Sequence, residues 1–256
     1  MKTIGFFNIK GGVGKTTASI NTAFQLSTHG KRVLVIDLDM QGNSSRFFEV
    51  YSKTAPSVSE VLLRQNEIES VIKQTKFTGI DVVPSNMRLI KTDKDIMLDT
   101  LYPQQTRLKA ALEQVQANYD FCIIDCPTYL TLALINGLVA MDEIIVPTEI
   151  DEQAFEGLEY LLEVIKDIKA FNPTLTLAGV LVNSYRPNNQ LHKEGLEWLE
   201  KFLPNKVFKQ KIRFSDKAAE AIATRQPAMI YSSRSLVARN FRDSTKEILG
   251  VNNNGK

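Results

Sequence analysis

The chain has 256 residues, 43% of them apolar and 23% charged, with a formal net charge of +2. That is a globular composition, long enough for a sizeable core, and no apolar run reaches the roughly eighteen residues of a membrane helix. Residues 1–3 lead straight into an apolar run with no room for a secretory signal, and Cys122 and Cys126 lack a second Cys/His pair at metal-binding spacing, so a reduced cytosolic setting is expected.

Residues 4–9 read as a buried strand, and after residue 17 Ile20, Ala23, Phe24 and Ser27 fall at helical spacing. Between them lies Lys10-Gly11-Gly12-Val13-Gly14-Lys15-Thr16-Thr17. A glycine-rich turn between strand and helix is what a phosphate-binding loop requires. Glycines let backbone N–H groups approach the phosphate oxygens, and the helix N-terminus adds partial positive charge. In such a loop Lys15 reaches the terminal phosphates and the Thr16 hydroxyl sits on Mg²⁺. The usual pattern opens with a glycine where this chain has Ile9, while Gly14-Lys15-Thr16 is intact. Lys10 is a second cation at the loop's mouth, aimed away from its own nucleotide or across to another subunit's.

This octet resembles the signature KGGVGKT[ST] of the ParA/MinD family of deviant Walker A ATPases, and within it the small ParA-type DNA-partition ATPases. The resemblance implies that Lys10 crosses a dimer interface to a second copy's phosphates. It makes Lys10, Gly11, Gly12, Val13, Gly14, Lys15, Thr16 and Thr17 the ATP-binding residues.

Residues 31–37 form the second buried run, ending in Asp37-Leu38-Asp39-Met40-Gln41-Gly42-Asn43. Carboxylates at the carboxyl end of a strand beside a phosphate loop sit where an α/β sheet places its ligands. The stretch resembles the family's DxDPQGN, with Met40 for proline. By matching position, Asp37 belongs to the magnesium shell and Asp39 orients the attacking water. Ser57 to Glu60 reads as a helix start, residues 79–85 as a short strand ending at proline, and 106–118 as an amphipathic helix. The charged segment 87–101 reads as helical, with no role assigned. Residues 119–125 are another buried run ending in Asp125, the Walker B arrangement, in which magnesium or its water makes a buried carboxylate tolerable. Asp125-Cys126-Pro127 resembles the family's DxPP, with Thr128 for the second proline. Cys122 is expected as a core thiol and Cys126 as a loop thiol.

A helix over 130–140, a strand over 142–148 and a helix to about residue 170 follow, then a strand over 177–183. The resemblance places Asn183 at the base edge of the nucleotide; a turn-forming Asn before Tyr185-Arg186-Pro187 is the competing reading. Residues 212–221 resemble the family's IRxxxxLAEA, and Arg225-Gln226-Pro227 stands where the family has G-K-P. Residues 234–249 read as a final amphipathic helix with Ala238, Phe241, Thr245 and Leu249 inward. Residues 251–256 form a polar tail.

Regular alternation of strands and helices predicts one α/β domain over residues 1–250, a P-loop NTPase with a mostly parallel central sheet and helices on both faces. Charge is uneven. Residues 1–200 hold 19 Lys/Arg against 25 Asp/Glu, a balance of −6, and residues 201–250 hold 11 against 4, a balance of +7. Such asymmetry suggests a polyanion-facing surface built from Arg213, Lys217, Arg225, Arg234, Arg239, Arg242 and Lys246. The resemblance implies an ATP-dependent homodimer with Mg²⁺ that coats non-specific double-stranded DNA in the cytoplasm, on the nucleoid. A centromere-binding (ParB-like) or cargo-adaptor partner would trigger hydrolysis. Positioning of a non-DNA cargo by the same cycle is the alternative. A MinD-like membrane role would need a basic, bulky amphipathic C-terminal helix, which residues 250–256 lack.

Overall fold

The computed structural model describes residues 1–250, and at 152–156 the backbone alone. The polar tail expected at 251–256 lies outside the described residues. In chain order the elements are β1 (Lys2–Phe6), α1 (Lys15–Thr28), β2 (Val33–Asp37), α2 (Asn43–Phe47), α3 (Val58–Leu62), α4 (Ile68–Val71), β3 (Lys73–Gln74) and β4 (Ile80–Val83). Then come α5 (Leu89–Leu98), α6 (Arg107–Val115), β5 (Phe121–Asp125), α7 (Leu132–Ala140), β6 (Glu143–Thr148), α8 (Glu152–Ile168) and β7 (Thr176–Val182). The chain closes with α9 (Gln190–Phe202), α10 (Asp216–Ala223), α11 (Ala228–Tyr231) and α12 (Leu236–Ile248).

The sheet order is β3-β4-β2-β5-β1-β6-β7, and every pairing is parallel except β3 with β4. Its central strands are continuous apolar runs because both faces are covered. Successive side chains feed opposite cores. Leu34, Ile36, Cys122, Ile124, Ile144 and Val146 join the core under α5 to α9. Val33, Val35, Ile123, Ile145, Ile4 and Phe6 join the core under α1 and α12. The expected fold class is therefore the observed one.

Local differences have physical reasons. The first strand stops at Phe6 rather than residue 9, because Asn8 turns its side chain to the Pro147 carbonyl (2.8 Å) and the Lys10 N–H (2.9 Å). At α3, Ser57 and Glu60 form a reciprocal capping box, as the acidic first turn predicts. Sequence periodicity does not anticipate α9, which Asn189 starts by accepting from Leu191 and His192 N–H. Cys126 is a free thiol in the loop after its strand, as expected, and it is buried there. In α12, Ala238, Phe241 and Thr245 are buried, while Leu249 is only partly so.

Candidate nucleotide site

β1, β2 and β5 are neighbours, and their carboxyl ends open on the loop that joins β1 to α1. Gly14 caps α1 in the left-handed region at φ 88°, and Gly12 adopts φ 79°. A Cβ on Gly14 would also run into the Asn183 amide, so glycine is required there on two grounds. Lys15, the first residue of α1, is 7% exposed. Its ammonium folds back over the loop and donates to the Lys10 carbonyl at 2.8 Å. Burial lowers its pKa from the ordinary lysine value, and the charges of Asp125, Cys126 and Asp39 pull it back up.

Asp37 and Asp125 are register partners on adjacent strands, and both are fully buried. Burial raises both carboxyl pKa values; the neighbouring Asp125 charge raises Asp37 further, and Asp39 does the same to Asp125. Hydrogen bonds oppose this. Ser45 donates from N (2.8 Å) and Oγ (2.6 Å) to Asp37 Oδ2, and Asp39 N–H donates to Oδ1 at 3.1 Å. Ser44 Oγ donates to Asp125 Oδ2 at 2.6 Å, and Ser19 Oγ to Oδ1 at 3.2 Å. The nearby Thr16 hydroxyl also helps to lower the Asp125 pKa. Two buried, mutually repelling carboxylates next to a hydroxyl are hard oxygen donors that a divalent cation relieves, so the residues fit Mg²⁺.

Ser19, Ser44 and Ser45 escape the sequence reading. The only signal is a Gly42-Asn43 turn that starts α2 immediately after the acidic motif. Gly42 sits at φ 64°, and the helix it begins turns both serines inward. Asp39 is half-buried, and its Oδ1 accepts the Gln41 N–H at 2.9 Å. Asn183 lies at the end of β7, but its Nδ2 donates to the Val13 carbonyl at 3.0 Å, so it holds the phosphate loop itself. Lys10 points out of its own loop, and its ammonium is paired with Asp151 of the same chain.

A family model for the AAA domain matches residues 1–177. The sporulation initiation inhibitor protein Soj of Bacillus subtilis (strain 168) is 35% identical over 249 residues, covering 96% of this chain and 98% of that protein. The chain belongs to the ParA/MinD family of deviant Walker A ATPases. The chromosome-partitioning ATPase Soj of Treponema pallidum (strain Nichols) is 30% identical over 97% of both chains. A solved structure of cobyrinic acid a,c-diamide synthase from Mycobacterium smegmatis, with bound ATP analog and magnesium, superposes with a TM-score of 0.84. It is 27% identical and covers 97% of this chain and 94% of that one.

The chain's departures from the ParA/MinD pattern have places in the fold. Met40 is half-buried beside Leu38, Pro127 and Tyr129, and Thr128 is the side chain that a Cβ on Gly11 would face, at 4.0 Å. Arg225, where the ParA/MinD pattern has glycine, takes the left-handed conformation at φ 52° that closes α10. The basic residues of the C-terminal part divide. Lys217 pairs with Glu220 (2.8 Å), Lys246 with Asp243 (2.9 Å) and Arg225 with Glu49 (3.4 Å). Arg242 donates to the Ser233 carbonyl at 3.5 Å. Arg213, Arg234 and Arg239 are exposed with no ion pair among the described residues. No helix among those residues is long and apolar enough to cross a membrane.

Proposed function

We propose that this chain is a ParA-type Mg²⁺-ATPase that dimerises on ATP, binds double-stranded DNA without sequence preference and drives plasmid or chromosome segregation with a centromere-binding or cargo-adaptor partner. In this reading residues 1–250 are one ATPase domain, working in the cytoplasm on the nucleoid. The supporting observation is the convergence of Lys15, Thr16 and the buried pair Asp37 and Asp125 at one end of the sheet.

Phosphoryl transfer to water asks a protein mainly to position groups and stabilise charge. Lys15, with Lys10 from a second copy, would neutralise the phosphates, and the backbone from Gly11 to Thr17 would cradle them. Thr16 would ligate Mg²⁺ directly, with Asp37 and Asp125 in its outer shell. Bound Mg²⁺ supplies charge neutralisation at the phosphate oxygens. Asp39 would orient the attacking water. Asn183 would reach the base edge through the side of its amide not given to Val13. A site completed in trans makes dimerisation a condition of turnover.

Sedimentation with ATP, with ADP and without nucleotide, each with and without non-specific duplex, tests the reading. An ATP-specific dimer that alone binds duplex is expected, and Asp39→Ala should dimerise and bind DNA yet hydrolyse poorly. A monomer under all conditions, or equal DNA binding with ATP and ADP, would reject the cycle.

A further inference from the structure

We propose that Asp93 is a positioning residue for ATP hydrolysis, fixing the far end of the loop that follows Asp125; the inference rests on the ATPase reading above. That loop, residues 126–131, runs from the buried end of β5 to the start of α7. Its crest is open: Tyr129 is 61% and Leu130 49% exposed. Near the crest Thr128 faces the phosphate loop, its Cγ2 4.0 Å from where a Cβ on Gly11 would stand, and the loop starts directly after Asp125 of the site.

One end of this loop is held by the sheet. The other is held by a residue from a different helix. The first N–H groups of a helix have no partners within it. At α7, the Thr131 hydroxyl takes the Leu134 N–H at 3.1 Å. Asp93, on α5, takes the two before it: Leu132 N–H on Oδ2 and Ala133 N–H on Oδ1, each at 3.0 Å. Charge-assisted bonds to a helix start are among the stronger hydrogen bonds, and two of them fix orientation as well as distance.

The same helix is tied to the other catalytic loop. Ser85, at the end of β4, donates its N–H to Ser45 Oγ at 2.9 Å, and that hydroxyl donates to Asp37. Asn86 then accepts the Arg88 N–H at 3.0 Å and starts the turn into α5. So α5 is referenced to the Asp37 loop at its beginning and to the Asp125 loop at Asp93. Apolar packing also joins α5 to α7, since Leu89, Ile96, Ala133 and Leu134 belong to one core. A cavity of 320 Å³, lined by Leu38, Met40, Leu89, Pro127 and Tyr129 among others, lies between α5 and the two loops, with Asp93 at its wall. Beside that cavity the Asp93 bonds give α5 a directional hold on the start of α7 that packing alone does not.

The test measures kcat, KM, ATP affinity and melting temperature for the parent, Asp93→Ala and Asp93→Asn. Misplacing catalytic groups by about an ångström costs up to about a hundredfold in rate. Asp93→Ala should lower kcat by about tenfold or more, with KM and ATP affinity within about twofold, the signature of a lost transition-state arrangement. Asp93→Asn keeps an acceptor oxygen and should recover much of the rate. A purely stabilising cap predicts otherwise: a lower melting temperature with parental kcat for the folded protein, and that result overturns the inference. If the alanine variant does not fold, Asp93→Asn is read by amide hydrogen exchange at Leu132 and Ala133 beside its kcat. Faster exchange there with unchanged kcat overturns it equally. A parent without ATPase activity overturns the ATPase reading and this inference together; an active parent with an equally active Asp93→Ala overturns this inference alone.

Discussion

Lys10 Nζ is ion-paired with Asp151, the residue that caps α8 in the same chain. The two side chains are 27% and 41% exposed, and a pair so placed is worth about 0–1 kcal/mol. Asp151 Oδ1 is buried without a hydrogen-bond partner among the described residues, so the carboxylate is not otherwise fully engaged by them. Lys10 can serve a second copy's phosphates only by leaving Asp151. Asp151→Ala should therefore favour ATP-driven dimerisation by about two- to fivefold. Analytical ultracentrifugation across an ATP series reads this directly. Weaker dimerisation in the variant would mean that Asp151 helps the dimer rather than restraining Lys10.

Lys15→Ala should abolish Mg-ATP binding. The loop would lose the buried ammonium folded over it, held now by the Lys10 carbonyl. Titration calorimetry decides this, and parental affinity in the variant would remove the phosphate-loop assignment.

Ser45→Ala should lower stability by about 2 kcal/mol. It deletes a hydrogen bond to a buried carboxylate and leaves the Ser85 N–H without its acceptor. Urea unfolding at neutral pH measures the change. A loss below about 0.5 kcal/mol would show that Asp37 is already satisfied by backbone donors.

Arg225→Gly should stabilise the fold by about 0.5–1 kcal/mol. A non-glycine residue in the left-handed region costs about 1–2 kcal/mol, whereas its exposed pair with Glu49 at 3.4 Å returns only a fraction of that. Thermal and urea midpoints should both rise. If they fall, the Glu49 contact outweighs the backbone strain.

For DNA, the ion pairs sort the basic residues. Arg234→Ala and Arg239→Ala should weaken binding and each lower the salt dependence by about one ion, because neither side chain has a carboxylate partner among the described residues. Lys246→Ala should do less, since Asp243 already holds that ammonium. Mobility shifts with ATP in rising salt give the slopes. No loss in the Arg234/Arg239 double variant, with dimerisation intact, would leave these charges merely solvated.

The fold class was legible because buried parallel strands must be apolar throughout, and five such runs alternate with amphipathic segments. The phosphate loop and its two following carboxylates were legible for a similar reason: the chemistry is local, with backbone, lysine and threonine all within one octet and each Asp closing its own strand. The shell around those carboxylates was not. Ser19, Ser44 and Ser45 are unremarkable in sequence, and only the side-by-side register of β2 with β5 makes them the groups that offset two buried charges. The same holds for long-range partners. Asp151 reaches Lys10 across 141 positions, Asn183 reaches Val13 across 170, and Asp93 meets α7 across 39 and 40. A basic C-terminal segment was visible as a count, but which charges stay free depended on Glu49, Glu220 and Asp243 folding back onto them. Local chemistry is written along the chain; pairing between distant side chains is decided only when the sheet closes and brings strand ends together.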